Sequence, residues 1–568
     1  MIGNNAYHLP QILSFDHSLY DELILHIFSH LSWVDLCRTQ ATNRNWARLA
    51  GDNELWRNLY LKVYGRTRLR GAKGFIGRLD GRQVRPLPGR ARAEEQRDWK
   101  WMFRISSNWR KGTPLMNIYI LGLHLSQGRC VVENCADATF HPSSPRHLIT
   151  AVEIEERTHI ILAGALTITA SSQPSRHPVI IVTGQLNQHF TLEYHGNEDS
   201  TRSPAYITAM ALDQSPPPSG NLSMACFLSS GEFTIFEFNH SYPSHITRKC
   251  THKPDHRNMR PCNTIHVVYY HPLLVSLSDD FSLSIYDLSS GGIQESQTLS
   301  SFTSYPPASL VLSSPSPGVF KLVIAYATPV YPKHWSVGAT ELIISSSSDT
   351  PPASSGSTLF SSPSFKEDYK YSTTTKMSVI SNRTIRAFDV PMGWVNDSFL
   401  RAMREQWGRK LTSVADAQTD GKWVVLAPGD NIHYQTGTSP LPSSHFLTSS
   451  ISSPLHSPTS LQLYRLILPT QGNSISTSPP KLTFVRSLHG QTSPVSCLAL
   501  ADGRCVSLGL NGSIWVWDLE GGTGAEVAPA DDLAMDQTGH ATKGTVSFDE
   551  RRIVTARAGK LVVRRFDI

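Results

Sequence analysis

With 568 residues, 40% hydrophobic and 17% charged, the chain is longer than one hydrophobic core serves, so at least two folding units are expected. Ser, Pro and Gly fill the place of the missing charges, which favours β-rich structure with many turns and some disordered stretches. A formal net charge of +6 is too small at this length to imply a nucleic-acid partner by itself. The eight cysteines are scattered without a C-x-x-C pair, which excludes a dense disulfide framework and points to a reducing compartment, cytoplasmic, nuclear or both. The N-terminus, MIGNNAYHLPQ, carries no secretory pattern, and no apolar run approaches the ~20 residues of a membrane helix. The expectation is a soluble intracellular protein with no membrane segment.

In chain order, residues 15–64 read as a helical module. LYDELILHIFSHL places Leu23, Ile24, Ile27, Phe28 and Leu31 on one helical stripe, with Asp21 and Glu22 at its dipole-favoured start. A short helix follows from Trp33 to Arg38, another from about Asn43 to Leu49, and Leu55, Trp56, Leu59 and Tyr60 close the module. Residues 65–92 lose periodicity and gather Gly and Arg, with Asp80 as their only acid, and read as a basic linker. Helix returns over 93–112, carrying Trp99, Trp101, Met102, Phe103 and Trp109.

From 113 to 568 the pattern changes to short β segments built alike: an apolar strand, a tight polar or Gly turn, then a strand ending aromatic–acid. CVSLGLNGSIWVWDLE ends at Trp517-Asp518, LLVSLSDDFSLSIYDL at Tyr286-Asp287, and RIVTARAGKLVVRRFDI at Phe566-Asp567. MACFLSSGEFTIFEF ends at Phe236-Glu237 and SNRTIRAFDV at Phe388-Asp389. Repeated hairpins of this kind predict an all-β propeller rather than one sandwich. Ser/Pro-rich insertions near 345–375 and 435–478 interrupt it as disordered segments, the second enclosing a strand-like LQLYRLIL. Between them, residues 394–410 read as an amphipathic helix with Phe399, Leu400, Met403 and Trp407.

The N-terminal anchors resemble the F-box: Leu19-Tyr20-Asp21-Glu22-Leu23, Ile27-Phe28-Ser29-His30-Leu31, Asp35-Leu36, Asn45-Trp46 and Leu55-Trp56-Arg57, over roughly fifty residues. By that resemblance Leu19, Glu22, Leu23, Ile27, Phe28, Leu31 and Leu36 are the expected contacts to a Skp-family adaptor, and through it to cullin and RING subunits. One residue and one dipeptide depart from the family pattern. Tyr20 stands where Pro is usual, and Thr42-Asn43 stand where Val-Cys is frequent. Asp98-Trp99-Lys100, Phe103 and Asn108-Trp109-Arg110-Lys111-Gly112 resemble the hinge helix of F-box/WD-repeat proteins, which joins the two domains.

Near the C-terminus, His489-Gly490, Asp502, Ser507 and Trp517-Asp518 resemble the WD-repeat set in which His, Asp, Ser/Thr and Trp link the strands of a blade. Gly539-His540, Asp549, Thr555 and Phe566-Asp567 repeat the plan, with Phe in place of Trp, while Tyr286 and Phe388 take the Trp place in more divergent blades. The family resemblance implies about seven blades. It also implies a non-catalytic substrate receptor of an SCF (Skp–cullin–F-box) ubiquitin ligase, holding a target protein on the propeller. A WD-repeat interaction scaffold with a divergent F-box, outside any ligase, is the alternative.

Other signals carry less. Cys250, His252, His256 and Cys262 match no common zinc spacing, and KCTHKPDHRNMRPC reads as a basic polar loop, so no metal site is expected. The Arg-rich linker lacks interleaved aromatics apart from Phe75, which argues against nucleic acid. No G-x-S-x-G, H-E-x-x-H, P-loop or dinucleotide glycine motif occurs, so neither a catalytic residue nor a cofactor is expected.

Overall fold

The computed structural model describes residues 19–60, 62–63, six helical positions at 99, 100, 103, 104, 107 and 108, and most of 157–566. Outside the described residues in that last span are 165, 185–188, 194–203, 216–220, 240–245, 255–262, 331–333, 348–375, 388–396, 430–458, 469–479, 502, 531–542, 550 and 558–559. The basic linker, the bulk of both Ser/Pro insertions, Phe388, Asp389, Asp502, His540 and Asp567 therefore lie outside them.

Four helices form the N-terminal module: α1 (Asp21–Phe28), α2 (Trp33–Thr39), α3 (Arg44–Ala50) and α4 (Asn53–Tyr60). Each is short, and side-chain caps fix where three of them begin, Asp52 Oδ1 accepting from the Leu55 N–H at the start of α4. Ser32 accepts from the Asp35 N–H at the start of α2, and Asn43 from the Trp46 N–H at the start of α3. The Thr42-Asn43 departure thus supplies a cap, and the Thr42 side chain is exposed rather than forced into an apolar site. Tyr20 precedes α1 with φ −67°, the angle a proline ring would have imposed, so the entry turn survives the substitution.

The β region forms seven antiparallel sheets in chain order, spanning 158–193, 207–252, 264–300, 305–386, 414–488, 495–528 and 545–565. Six have four strands, and the last shows three among the described residues. We number them blades 1 to 7. The first strand of each blade packs against the first strand of the next, and that of blade 7 (Thr545–Phe548) returns to that of blade 1 (Thr158–Ala163). Seven separate apolar clusters lie between consecutive blades and close the ring. This is a seven-bladed propeller in which each blade buries both faces against its neighbours.

Four of the hairpins singled out by the aromatic–acid ending are the second and third strands of blades 2, 3, 6 and 7. SNRTIRAFDV is different: Lys376–Arg386 is the fourth, outer strand of blade 4, and the Trp place expected of Phe388 lies outside the described residues. LQLYRLIL belongs to blade 5, where Leu461–Ile467 is the third strand. The third strand of blade 4 runs through Ser347, so that insertion begins later than composition indicated. Cys250 and His252 sit in the outer strand of blade 2 rather than in a loop, with His252 packed on Phe233 and Tyr286. The amphipathic helix over 394–410 is α5 (Asp397–Gly408).

Turn geometry follows side-chain chemistry. Gly512 holds φ +83° in the blade 6 hairpin, a conformation glycine adopts without a Cβ clash. The equivalent blade 3 turn instead holds Phe281 at φ +62°. Its ring is buried between blades 3 and 4, edge-on to Tyr326 at 5.3 Å, and that packing offsets the unfavourable backbone.

Ring closure depends on residues remote in sequence. The Arg552 guanidinium donates to the Thr167 hydroxyl at 2.9 Å and to the Gly164 and Leu166 carbonyls at 2.9 and 2.8 Å, while Asp549 orients it at 3.1 Å. The Thr545 hydroxyl donates to the Thr158 carbonyl at 2.7 Å on the same seam. Arg552→Ala leaves those acceptors without a donor and is expected to cost on the order of 3 kcal/mol. Urea unfolding followed by tryptophan fluorescence checks this, and an unchanged midpoint would deny Arg552 its latching role.

Candidate functional site

The stripe on α1 divides into two rows about 100° apart. Ile24 and Phe28 turn inward with Leu36, Leu49, Ala50, Leu55, Trp56 and Tyr60, forming the module's own core. Leu23 and Ile27 turn outward, 50% and 42% exposed, in line with Tyr20 at 80%. Trp33, on α2, is also exposed, at 37%. Of the seven contacts expected from the resemblance, Glu22, Leu23 and Ile27 lie on the surface, and Leu19 and Leu31 are half-buried. Phe28 and Leu36, at 2% and 1% exposure, have no surface to offer a partner. They are corrected to core residues: Phe28 packs edge-on against Trp46 at 5.6 Å, and Leu36 fills the space among the helices.

The module does not close with Tyr60. The Trp99 ring lies tilted against Tyr60 at 5.4 Å, and its backbone N–H donates to Asn53 Oδ1 at 2.9 Å. Lys100 Nζ donates to Gln40 Oε1 at 2.6 Å and lies 5.8 Å from the Trp56 ring. Phe103 is buried in the module core beside Trp56 and Trp33, at 5.5 and 6.2 Å. On the same helical segment, Asn108 Nδ2 donates to the Phe566 carbonyl of blade 7 at 3.2 Å. The described residues between 99 and 108 therefore complete the small module's core through Trp99 and Phe103 and touch the propeller through Asn108. That role was visible in the Trp-Lys and Asn-Trp-Arg elements, though the depth of Phe103 in the core was not.

Three comparisons bear on these two units. A family model described as F-box-like matches residues 19–62, the four-helix module. A second, described as the F-box protein pof12 beta-propeller, matches residues 182–538, more than half of the chain. The chain belongs to this F-box protein pof12 β-propeller family.

F-box/LRR-repeat protein 5 of Xenopus tropicalis and of Xenopus laevis are each 45% identical over 49 residues, 9% of this chain and 7% of those proteins. The chain thus spans a small fraction of the curated relatives it matches. Among solved structures, the WD40 β-propeller domain of Doa1 is 12% identical over 72% of this chain and 92% of its own, with a TM-score of 0.34. The computationally designed Ika8 protein is 13% identical over 72% and 82%, with a TM-score of 0.32. The fold is established by the seven sheets, not by these distant likenesses.

Within this F-box propeller protein, blade 6 carries the most complete WD-type network. Trp517 Nε1 donates to Ser507 Oγ at 3.0 Å, and Ser507 Oγ donates to Gln491 Oε1 at 2.7 Å. The third partner is Gln491, not His489: Gln491 and Ser507 are buried, whereas His489 is exposed at the end of its strand. An amide has both donor and acceptor and can replace an imidazole in such a chain. Asp518 accepts from the Gly521 N–H at 3.4 Å in the following turn. In blade 7, Asp549 accepts from the Arg551 and Arg552 N–H groups, and Thr555 receives Arg564 Nη1 at 3.3 Å.

The first strands of six blades line an open cavity of about 340 Å³. His159 of blade 1 and His266 of blade 3 line it. Burial and the nearby Arg157 charge lower their pKa values to about 4 and about 3, against a hydrogen bond from His159 Nε2 to the Ile207 carbonyl at 3.1 Å that raises the first. Above pH 6.5 neither the folded nor the unfolded chain protonates these rings. Below it the unfolded chain takes up protons that the propeller refuses, so stability falls between pH 6.5 and about 4, by roughly 1.4 kcal/mol per pH unit for each ring. Buried Asp416, whose pKa burial raises, works in the opposite sense at the acid end. The propeller's unfolding midpoint is therefore expected to be lower at pH 5 than at pH 7, with a shallower dependence in His266→Gln. A level profile across that window would contradict the lowered pKa values of these two rings.

Proposed function

We propose that this protein is the substrate-recognition subunit of an SCF ubiquitin ligase. Its helical module docks a Skp-family adaptor, and its propeller presents a target protein to the ubiquitin-transfer machinery. The observation that carries the reading is the outward row of Tyr20, Leu23 and Ile27 on α1, apolar surface that the module's own core leaves uncovered. Exposed apolar side chains aligned on one helix face suit a protein partner. The contacts of Trp99 and Phe103 with the module and of Asn108 with blade 7 support it, because a receptor must hold its target at a defined place relative to the adaptor. No step of ubiquitin chemistry is assigned to this chain. The receptor acts by proximity, holding a target lysine near a charged conjugating enzyme bound elsewhere in the complex.

The experiment is co-precipitation of cullin and RING subunits with the tagged full-length chain, followed by identification of proteins that accumulate when Leu23 and Ile27 are substituted. Recovery of the adaptor, cullin and RING subunits supports a receptor. Adaptor without cullin would point to the scaffold reading instead.

A further inference from the structure

The end of blade 4 at which its third strand begins carries apolar surface that the propeller's own packing does not use. Phe302, in the connection from blade 3, is 89% exposed, and Tyr305, Leu400 and Trp407 are exposed as well. Contacts join them in one series. The Tyr305 hydroxyl donates to the Phe302 carbonyl at 3.3 Å, and its ring meets Trp335 edge-on at 5.7 Å. Trp335 exchanges backbone hydrogen bonds with Leu411 at 2.7 and 2.8 Å, and Lys410 lies over the Trp407 ring at 4.1 Å. Leu400, Arg404 and Trp407 follow at helical spacing on one exposed face of α5. Single exposed apolar side chains are ordinary, but a connected aromatic patch marks an interaction surface.

Charge narrows the partner. The connections that build this end, 301–304, 331–333 and 386–413, hold six Lys or Arg and three Asp or Glu. Arg401 and Arg404 are exposed on α5, where Glu405 pairs with Arg409 at 3.3 Å. Arg386 donates to the Thr303 hydroxyl at 2.9 Å, beside Phe302. Asp279 and Asp280 are exposed in the neighbouring blade 3 turn, whose Phe281 carbonyl accepts from the Ser301 N–H at 3.3 Å. Asp280 is taken up by its own turn, accepting from the Ser278 hydroxyl and the Ser282 N–H. The patch is thus apolar near Phe302 and cationic along α5. It also faces away from the helical module's tether. Asn108 meets the Phe566 carbonyl just past the end of blade 7's third strand, and equivalent strands run alike around the ring.

We propose that this end of blade 4, with α5, is the docking surface for an acidic, apolar peptide segment of another protein. Its apolar side chains lie on Phe302 and Tyr305, and its carboxylates meet Arg401 and Arg404. Calling that protein a ligase target rests on the receptor reading; the binding itself does not. A nucleic acid would need open ring faces for stacking, whereas Lys410 covers Trp407 and Trp335 meets Tyr305 edge-on.

A phage-displayed library of random peptides tests the proposal, depleted on the variant Phe302→Ser/Arg401→Glu/Arg404→Glu and then selected on the full-length wild-type protein. Enriched peptides are expected to combine Asp or Glu with Leu, Phe or Trp. The most enriched one, synthesised and titrated by calorimetry, should bind one site per chain, more weakly as salt rises. Phe302→Ser alone and the pair Arg401→Glu/Arg404→Glu are each expected to weaken it about tenfold or more. Arg401→Lys/Arg404→Lys should retain most of the affinity, and Ile467→Ser, exposed at the other end of blade 5, should leave it unchanged. These side chains are exposed, so every variant should unfold at the wild-type temperature. A selection that yields no binder, or binders without acidic residues, overturns the proposal. So does equal affinity in the folded Phe302→Ser chain, or a single-stranded oligonucleotide that displaces the peptide at lower concentration than the peptide itself. Adaptor co-precipitation is expected to be unchanged in all these variants, which separates a failure here from a failure of the receptor reading.

Discussion

Substituting Leu23 and Ile27 together by Asp is expected to abolish adaptor binding while leaving the helical module and the propeller folded. The magnitude follows from exposure. Full burial of a Leu or Ile contributes ~1.5–3 kcal/mol, but these two already have about half of their surface covered, so docking gains roughly 1 kcal/mol from each. The double change to Ala should therefore weaken binding by roughly 30-fold. Asp adds a desolvation penalty of several kcal/mol for charges without partners, which takes binding below detection. Because neither side chain belongs to the module core, helicity should be retained. Calorimetric titration with purified adaptor and circular dichroism of the variant read the two halves of this expectation.

Phe28→Ala, one position further along α1, is expected to act by another route. Its ring is buried against Trp46, and truncation of a buried Phe costs about 3–5 kcal/mol. A module of four short helices has little stability to lose. The expected result is unfolding of the module with the propeller transition unchanged, seen as loss of the lower-temperature step in calorimetry. Adaptor binding would fall as well, but as a consequence of unfolding. A double change at Ile27 and Phe28 mixes the two effects, whereas the pair Leu23 and Ile27 isolates the surface. If Phe28→Ala leaves the module's helicity intact, the division of α1 into an inner and an outer row is wrong.

That division shows where sequence reasoning reached its limit. The 3.6-residue period identified α1, but Leu23 and Ile24 are adjacent, and periodicity cannot tell which of two neighbouring rows meets the module's own core. The answer depended on Trp56 and Phe103, the latter some 75 positions away from Phe28. The propeller was legible through its hairpins because strand, Gly turn and aromatic–acid strand are all local. Closure of the ring was not: Arg552 meets Gly164 across 388 positions. The blade 6 network was legible at Ser507 and Trp517, whose spacing is set by one hairpin. His489 was misplaced because Gln491, two residues on, offers the same hydrogen-bonding capacity from the buried side of the turn. His159 and His266 carry no motif at all, and only the meeting of their strands gives them a common environment.

The central claim is that the outward face of α1 docks a Skp-family adaptor, and direct assembly of the two purified proteins tests it. Size-exclusion chromatography with light scattering should show a one-to-one complex for the full-length wild-type chain, and separate peaks for Leu23→Asp/Ile27→Asp. An adaptor that elutes apart from the wild-type chain, while binding a standard F-box under the same conditions, would contradict the account.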